Sequence, residues 1–427
     1  MEQARYRLPA GVVDQGPAER EAIETLTAQL VSLFANWGYR RVEPPVFEYF
    51  ETFACGGASF SEERVYRFLD RNGKLLALRP EMTAGIARMA AAQLSGATQQ
   101  ELAAALPLRL CYAGPVFRSE SPGSGTPHSF QQGGVELIGM AAAGADAEAD
   151  AEVIAVALAA VNALLPGRAR VVVGHAGLAW QALAAAAAPS AQRAAEFRAA
   201  ARQRDLVALQ GLLGPELAAL IAGGPYARPQ AGAILAGLGR AGEGLASGAA
   251  ELEALFGALE DYGVEDLALD LSLLRDLDYY TGMVFEVTVN GLARPIAGGG
   301  RYDRLLERFG LAVPATGFAL DITAAANPGR GQGEPDGRGP VVVATACRGE
   351  RRSAMAIAAT LRAAGFRVET RLVPEPLSAA LNACRARGAV RLLYCEGGAY
   401  REIRVLAASP GFTDDPPAMA AGHQSIH

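Results

Sequence analysis

Ile23, Leu26, Leu30, Leu33, Phe34 and Trp37 recur at three- and four-residue intervals. That spacing predicts an amphipathic helix over residues 17–37, with Pro17 in its first turn and Gly38 ending it. A short strand should follow and lead to Pro44-Pro45. Two apolar runs, 65–69 and 75–78, flank Asp70-Arg71-Asn72-Gly73, and Asn-Gly between such runs predicts a hairpin. Residues 83–94 read as a helix. Residues 109–117 and 129–138 read as strands around a Gly/Pro/Ser loop. Residues 147–165 read as a helix whose early acids suit the positive end of its dipole. A buried-type strand over 168–174 precedes an Ala/Leu-rich stretch, 178–262, broken at Gly214-Pro215 and around 223–229; this predicts a helical insertion. Strands are then expected near 267–271, 283–289 and 294–297.

At residue 327 the pattern stops. NPGRGQGEPDGRGP, residues 327–340, has the composition of a linker. Beyond it, apolar runs at 341–346, 367–372, 391–395 and 401–406 alternate with helical spacing at 351–364 and 377–387. That predicts a small α/β domain over 341–408, followed by a flexible tail, 409–427. The expected fold class is α+β: a core over 1–326 built on an antiparallel sheet with flanking helices, plus the small C-terminal domain.

Composition narrows the function. The chain has 427 residues, 51% hydrophobic and 20% charged, which excludes a mostly disordered protein. A net charge of −6 and a pI near 5.5 argue against a surface coated for nucleic acid, which is therefore an unexpected partner. One region departs from this: residues 341–406 hold eleven Arg, no Lys and five Glu, a local net of +6. Solvated arginines, a docking face and residual RNA affinity all remain open for it. The five cysteines form no CxxC pair, so free thiols in a reducing compartment are expected, without a structural zinc site. His128 and His175 lie in no metal-ligand cluster and read as loop or strand-end residues; no cofactor is implied. The opening residues carry no secretory-type apolar run, and 153–165 is too short to span a bilayer, which predicts a cytoplasmic protein with no membrane partner.

Four segments carry candidate chemistry: Leu78-Arg79-Pro80-Glu81-Met82-Thr83; GPVFRSESPGSGTPHSFQQGGVELIG from Gly114; RDLDYYTGMVFE from Arg275; and AGGGRYD from Ala297. In this order and spacing they resemble the catalytic domain of histidyl-tRNA synthetase, a class II aminoacyl-tRNA synthetase, over about residues 5–325. The opening helix, strand and Pro44 resemble the first, dimer-forming motif of that class. On the strand 129–138, alternation puts Gln132, Gly134 and Glu136 on one face, and Gly134 would let a ligand lie against the backbone. A carboxylate suits one imidazole N–H and a phenol the other, roles open to Glu136 and Tyr280. Glu81 and Thr83 suit an α-ammonium; Gln132 and Arg275 suit a carboxylate; Tyr279 and Tyr302 would line the pocket. The resemblance implies the same roles for free histidine. Simpler readings stand beside these. Glu81 and Thr83 fit a helix cap, Tyr279 and Tyr280 fit core aromatics, Arg118 fits a solvent-facing pair, and Gly298-Gly299-Gly300 fits a bulge or turn.

The nucleotide side departs from the synthetase. The loop SPGSGTPHS, 121–129, has no Lys or Arg; Thr126 and Ala324 stand where the synthetase has arginines, and Asp321 stands where it has a glycine. Arg118 alone remains of that set. Losing cations and adding an anion opposes triphosphate binding by several kcal/mol. A pocket kept without an ATP clamp resembles the histidyl-tRNA synthetase-like regulatory subunits of ATP phosphoribosyltransferase. That resemblance implies a non-catalytic chain, homodimeric within a hetero-oligomer, partnered by a short catalytic subunit, with free histidine as effector. A divergent active synthetase is the alternative.

Overall fold

The computed structural model describes residues 8–54, 64–119, 127–139, 146–165, 169–178, 181, 190–240, 243–273, 279–292, 294–326, 341–364, 366, 368–371, 374–386, 389 and 391–405. The expected linker and tail, Arg275, the loop 120–126 and residues 182–189 of the expected insertion lie outside these. The chain forms two compact units, Met1–Asn327 and Pro328–His427.

In the first unit, α1 (Pro17–Asn36) buries Ile23, Leu30 and Phe34, three positions of the apolar stripe. Two short strands follow, β1 (Arg40–Arg41) and β2 (Phe47–Tyr49), then α2 (Phe50–Ala54), β3 (Arg67–Leu69) and β4 (Leu75–Leu78). β3 and β4 form the hairpin, and β2 adds to it in the order β2-β4-β3. Its turn is fixed by Asp70, whose Oδ1 accepts from the Asn72 and Lys74 amides at 2.8 Å each, and by Gly73 at φ 77°. α3 (Thr83–Leu94) matches its expected span. α4 (Gln99–Ala105) was not expected; its signal is the capping box of Thr98 with Glu101.

β5 (Leu108–Phe117), β6 (Ser129–Ile138), α5 (Asp146–Leu164) and β7 (Ala169–His175) follow. The insertion is α6 (Ala191–Gln203), α7 (Leu206–Leu213), α8 (Pro215–Gly223), β8 (Tyr226–Ala227), α9 (Arg228–Leu238) and α10 (Glu243–Asp261). The chain then returns through β9 (Leu267–Leu269), β10 (Met283–Val289), β11 (Ala297–Arg301), β12 (Ala315–Asp321) and α11 (Ile322–Ala325). The large sheet runs β1-β5-β6-β12-β11-β10-β7-β9-β8. It is antiparallel except for β1 with β5 and β7 with β9. One face packs under α1, α5 and α9; the other carries the pocket described below.

Two expectations change here. The strand placed at 294–297 begins at Ala297, and the three glycines are its interior, not a bulge or turn. β10 and β12 pair with it on both sides, so the ladder supplies what missing side chains cannot. The strand over 401–406 begins at Ala399, because Gly397 and Gly398, at φ 64° and 78°, close a two-residue hairpin from Glu396 to Ala399.

In the second unit, β13 (Val341–Thr345), α12 (Arg351–Ala363), β14 (Val368–Thr370), α13 (Leu377–Ala386), β15 (Arg391–Glu396) and β16 (Ala399–Arg404) build a sheet ordered β14-β13-β15-β16. β13 is parallel to both its neighbours, and its residues are all buried, as a strand covered on two faces requires. Among the described residues, no helix is long and apolar enough to cross a membrane.

A carboxylate pocket on the sheet and the family it belongs to

Glu136 is the centre of the site. It lies on β6, is 1% exposed, and faces away from α5. Its Oε1 accepts from the Thr83 hydroxyl at 2.7 Å, and its Oε2 accepts from the Tyr302 hydroxyl. These donors are neutral hydroxyls, and burial pushes its carboxyl up to about 8, against hydrogen bonds from Tyr302, Thr83 and Tyr112 that favour ionisation. Nearby Glu81 reinforces the rise, and burial raises Glu81 as well.

Glu81 turns out to be a helix cap, the simpler of its two sequence readings. Its Oε2 accepts from the Thr83 amide at 2.5 Å and its Oε1 from the Ala84 amide at 2.8 Å, at the start of α3. That use aims Thr83 at Glu136. Arg79 fixes the turn before it. Its side chain is 1% exposed; Nε donates to the Pro115 carbonyl at 2.8 Å and Nη1 to the Pro44 carbonyl at 2.6 Å. The Arg-Pro-Glu run is thereby tied to the Pro44 turn and to β5.

The floor of the pocket is glycine. A Cβ on Gly317 would stand 1.9 Å from Glu136 Oε2, and one on Gly300 would stand 2.9 Å from the Tyr280 ring. The absence of side chains there is what admits a carboxylate and an aromatic ring at the sheet surface. Tyr279 packs between Tyr280 and Tyr302, tilted to the first and edge-on to the second, with ring centroids 5.0 and 5.6 Å away. Gln132, 5% exposed on the same face of β6, has an Oε1 that accepts no hydrogen bond, a polar atom buried at a cost of about 1–3 kcal/mol until a donor reaches it.

The space above Gly134 is filled. Tyr112, opposite it on β5, would have its hydroxyl 2.5 Å from a Gly134 Cβ and donates to the Phe318 carbonyl at 3.3 Å. The bare backbone expected at Gly134 is therefore packed with a phenol, which also interacts with Thr83 and Glu136. Tyr112 was missed; the signal for it was its place opposite Gly134, on the Gln132–Glu136 side of the sheet.

Arg118 stands at the far end of this face. Its guanidinium lies 5.1 Å over the Phe130 ring, and its Nε donates to the Pro80 carbonyl at 2.8 Å. Asp321 Oδ1 caps α11 through the Ala324 amide at 2.9 Å, and the charges of Arg294 and Arg118 oppose the upward push of burial on its carboxyl. His128 and His175 each serve neighbouring groups: His175 Nε2 lies 2.9 Å from Glu251 and its Nδ1 accepts from the Leu178 amide, while His128 Nδ1 meets the Tyr66 hydroxyl at 2.5 Å. Of the expected site residues, the fold brings Glu81, Thr83, Gln132, Glu136, Tyr279, Tyr280 and Tyr302 to one face, with Arg118 at its edge; Arg275 lies outside the described residues.

A site of this kind, seated on a mostly antiparallel sheet across β6, β12 and the glycine-rich β11, defines a class II aminoacyl-tRNA synthetase-like protein of histidyl type. The family profile described as Histidyl-tRNA synthetase matches residues 11–325. An ATP phosphoribosyltransferase regulatory subunit from Symbiobacterium thermophilum is 39% identical over 402 residues, covering 91% of this chain and 96% of that protein. One from Moorella thermoacetica is 41% identical over 330 residues, covering 74% and 80%. A solved structure described as an ATP phosphoribosyltransferase regulatory subunit/histidyl-tRNA synthetase, from Bacillus halodurans, superposes with a TM-score of 0.72 at 29% identity, covering 88% of this chain and 96% of that one. The chain belongs to the histidyl-tRNA synthetase-like family of ATP phosphoribosyltransferase regulatory subunits.

Proposed function

We propose that this chain binds free histidine in the Glu136 pocket and, joined to a short catalytic ATP phosphoribosyltransferase subunit, supports the first step of histidine biosynthesis and carries its feedback inhibition. The observation that carries this reading is Glu136, a buried carboxyl held by two hydroxyl donors beside three tyrosines and the unsatisfied Gln132 oxygen. An imidazole titrates near 6.5 and this carboxyl near 8, so at neutral pH one proton suffices to join them, whichever partner holds it. Gln132 Oε1 accepts from the ligand's α-ammonium or, with its amide turned, faces its carboxylate. Binding favours one arrangement of the hetero-oligomer, and a coupling of about 1–3 kcal/mol is enough for useful feedback.

The same reading makes the chain non-catalytic and cytoplasmic, a homodimer within the larger assembly. Thr126 and Ala324 stand where the synthetase has arginines, and Asp321, where it has a glycine, lowers the positive potential around Arg118. Calorimetry and histidine-dependent ATP–pyrophosphate exchange test it together. Heat with histidine, none with ATP and magnesium, and no exchange are expected; brisk exchange would make the chain a working synthetase instead. Mixing with a short catalytic subunit should raise its phosphoribosyltransferase activity and make that activity histidine-sensitive.

A further inference from the structure

The two segments that supply the pocket's tyrosines also carry residues the pocket does not use. Thr281 and Gly282 follow Tyr280, and Arg301 and Asp303 flank Tyr302. Alternation sends Tyr302 to Glu136 and Arg301 to the opposite face, toward α5. There Arg301 is 6% exposed, and each of its five N–H groups meets an acceptor. Nε and Nη2 donate to the two carboxylate oxygens of Asp150 at 3.1 and 2.9 Å. Nη2 also donates to the Asp146 carbonyl at 2.8 Å, and Nη1 donates to Asp146 Oδ1 at 2.9 Å and Asp303 Oδ1 at 3.3 Å. The start of α5 thus grips the end of β11. Gly282 makes room for that arginine, since a Cβ there would stand 3.0 Å from its Cδ.

Asp303 carries the grip across to the tyrosines. Its Oδ1 also accepts from the Ala315 amide at 3.2 Å, and the Ala315 carbonyl accepts from the Tyr302 amide at 2.8 Å. The Asp303 amide donates to the Thr281 hydroxyl at 3.1 Å; that hydroxyl lies 3.4 Å from both Asp303 Oδ2 and the Arg301 carbonyl. The Thr281 amide donates to the same carbonyl at 2.8 Å. Every link from α5 to Tyr280 and Tyr302 is therefore a hydrogen bond or a peptide bond. We infer that Thr281 and Asp303 are positioning residues: with Arg301 they form a clamp behind Tyr302 that fixes the spacing of Tyr280 and Tyr302 beside the Glu136 carboxyl. A loosened clamp leaves the fold in place and lets the Tyr302 hydroxyl drift from Glu136. For its ligand, this inference rests on the histidine reading above.

The full-length chain tests it with Thr281→Val, which removes the hydroxyl and keeps the branched shape, and with Asp303→Ala. Each should weaken histidine binding by about five-fold or more in calorimetry, and the double variant should lose little beyond either single one. Thr281→Ser, which restores the hydroxyl, should bind within about two-fold of the wild type. A lowered melting temperature of Thr281→Val with unchanged affinity marks a merely structural contact and overturns the inference. So would losses that multiply in the double variant, or a Thr281→Ser that recovers nothing. A second readout needs no ligand. The Tyr302 hydroxyl favours the ionised form of Glu136, so its drift raises that carboxyl further. In Thr281→Val, which removes no titrating group, the fall of melting temperature with rising pH should move to higher pH. Should the wild-type chain bind no histidine, the histidine reading falls, and this profile alone judges the clamp: a move to higher pH sustains it and an unmoved profile ends it.

Discussion

Glu136 shows how much chemistry one residue takes from its neighbours. Buried among hydroxyl donors, its carboxyl is pushed up to about 8 in the folded chain from an ordinary value of 4.5. Between those values the native chain holds a proton that the unfolded chain has lost. The resulting stability is complete below about 4.5 and declines as pH rises through about 8. Asp150, pushed up to about 6 by burial, adds the same slope at lower pH. Glu136→Gln should therefore flatten the fall in melting temperature between about pH 6 and pH 8, leaving the Asp150 portion in place. The same variant should bind histidine less well, since its amide NH2 donates and cannot accept the hydrogen bond that one of the two hydroxyls now gives. A melting series across pH with calorimetry at one pH checks both.

Strand faces decide which side chains meet. Gly317 is registered opposite Glu136 and Gly300, so one column of β6, β12 and β11 forms the bed of the pocket. Gly317→Ala puts a methyl onto Glu136 Oε2 and should cost histidine affinity at least about tenfold, with the sheet intact by circular dichroism. Alternation along residues 129–138 made Gln132 and Glu136 legible as neighbours before any coordinates, because period two leaves no choice of face. Their opposing column was not legible as structure: Gly298-Gly299-Gly300 has no side-chain pattern, and only pairing to β10 and β12 makes it a strand. The cap at Glu81 was one of two open readings, since a carboxylate before a helix serves backbone and ligand equally well in sequence. Tyr112 and the Thr281–Asp303 pair needed long-range register and packing, which spacing within one segment does not encode.

Every described pocket residue lies within Met1–Asn327, and the second unit has its own cores around Val342 and Val343. A chain ending at Asn327 should fold and keep its histidine affinity within about two-fold, by calorimetry against the full-length protein. Loss of affinity would mean that the second unit contributes to the pocket. The two units differ in charge as well: residues 341–406 are basic within an acidic chain. Partner association that weakens with salt in the full chain and not in the truncated one would assign the arginines to docking.

Asp321 holds two roles at once. The residue that offsets the positive field around Arg118 also starts α11 by accepting from the Ala324 amide. A glycine here would lose the cap, and the arginine that the synthetase carries at position 324 would be a separate change. On the proposed non-catalytic reading, neither change alone would restore a grip on nucleotide, so the cap and the local charge hold the position together.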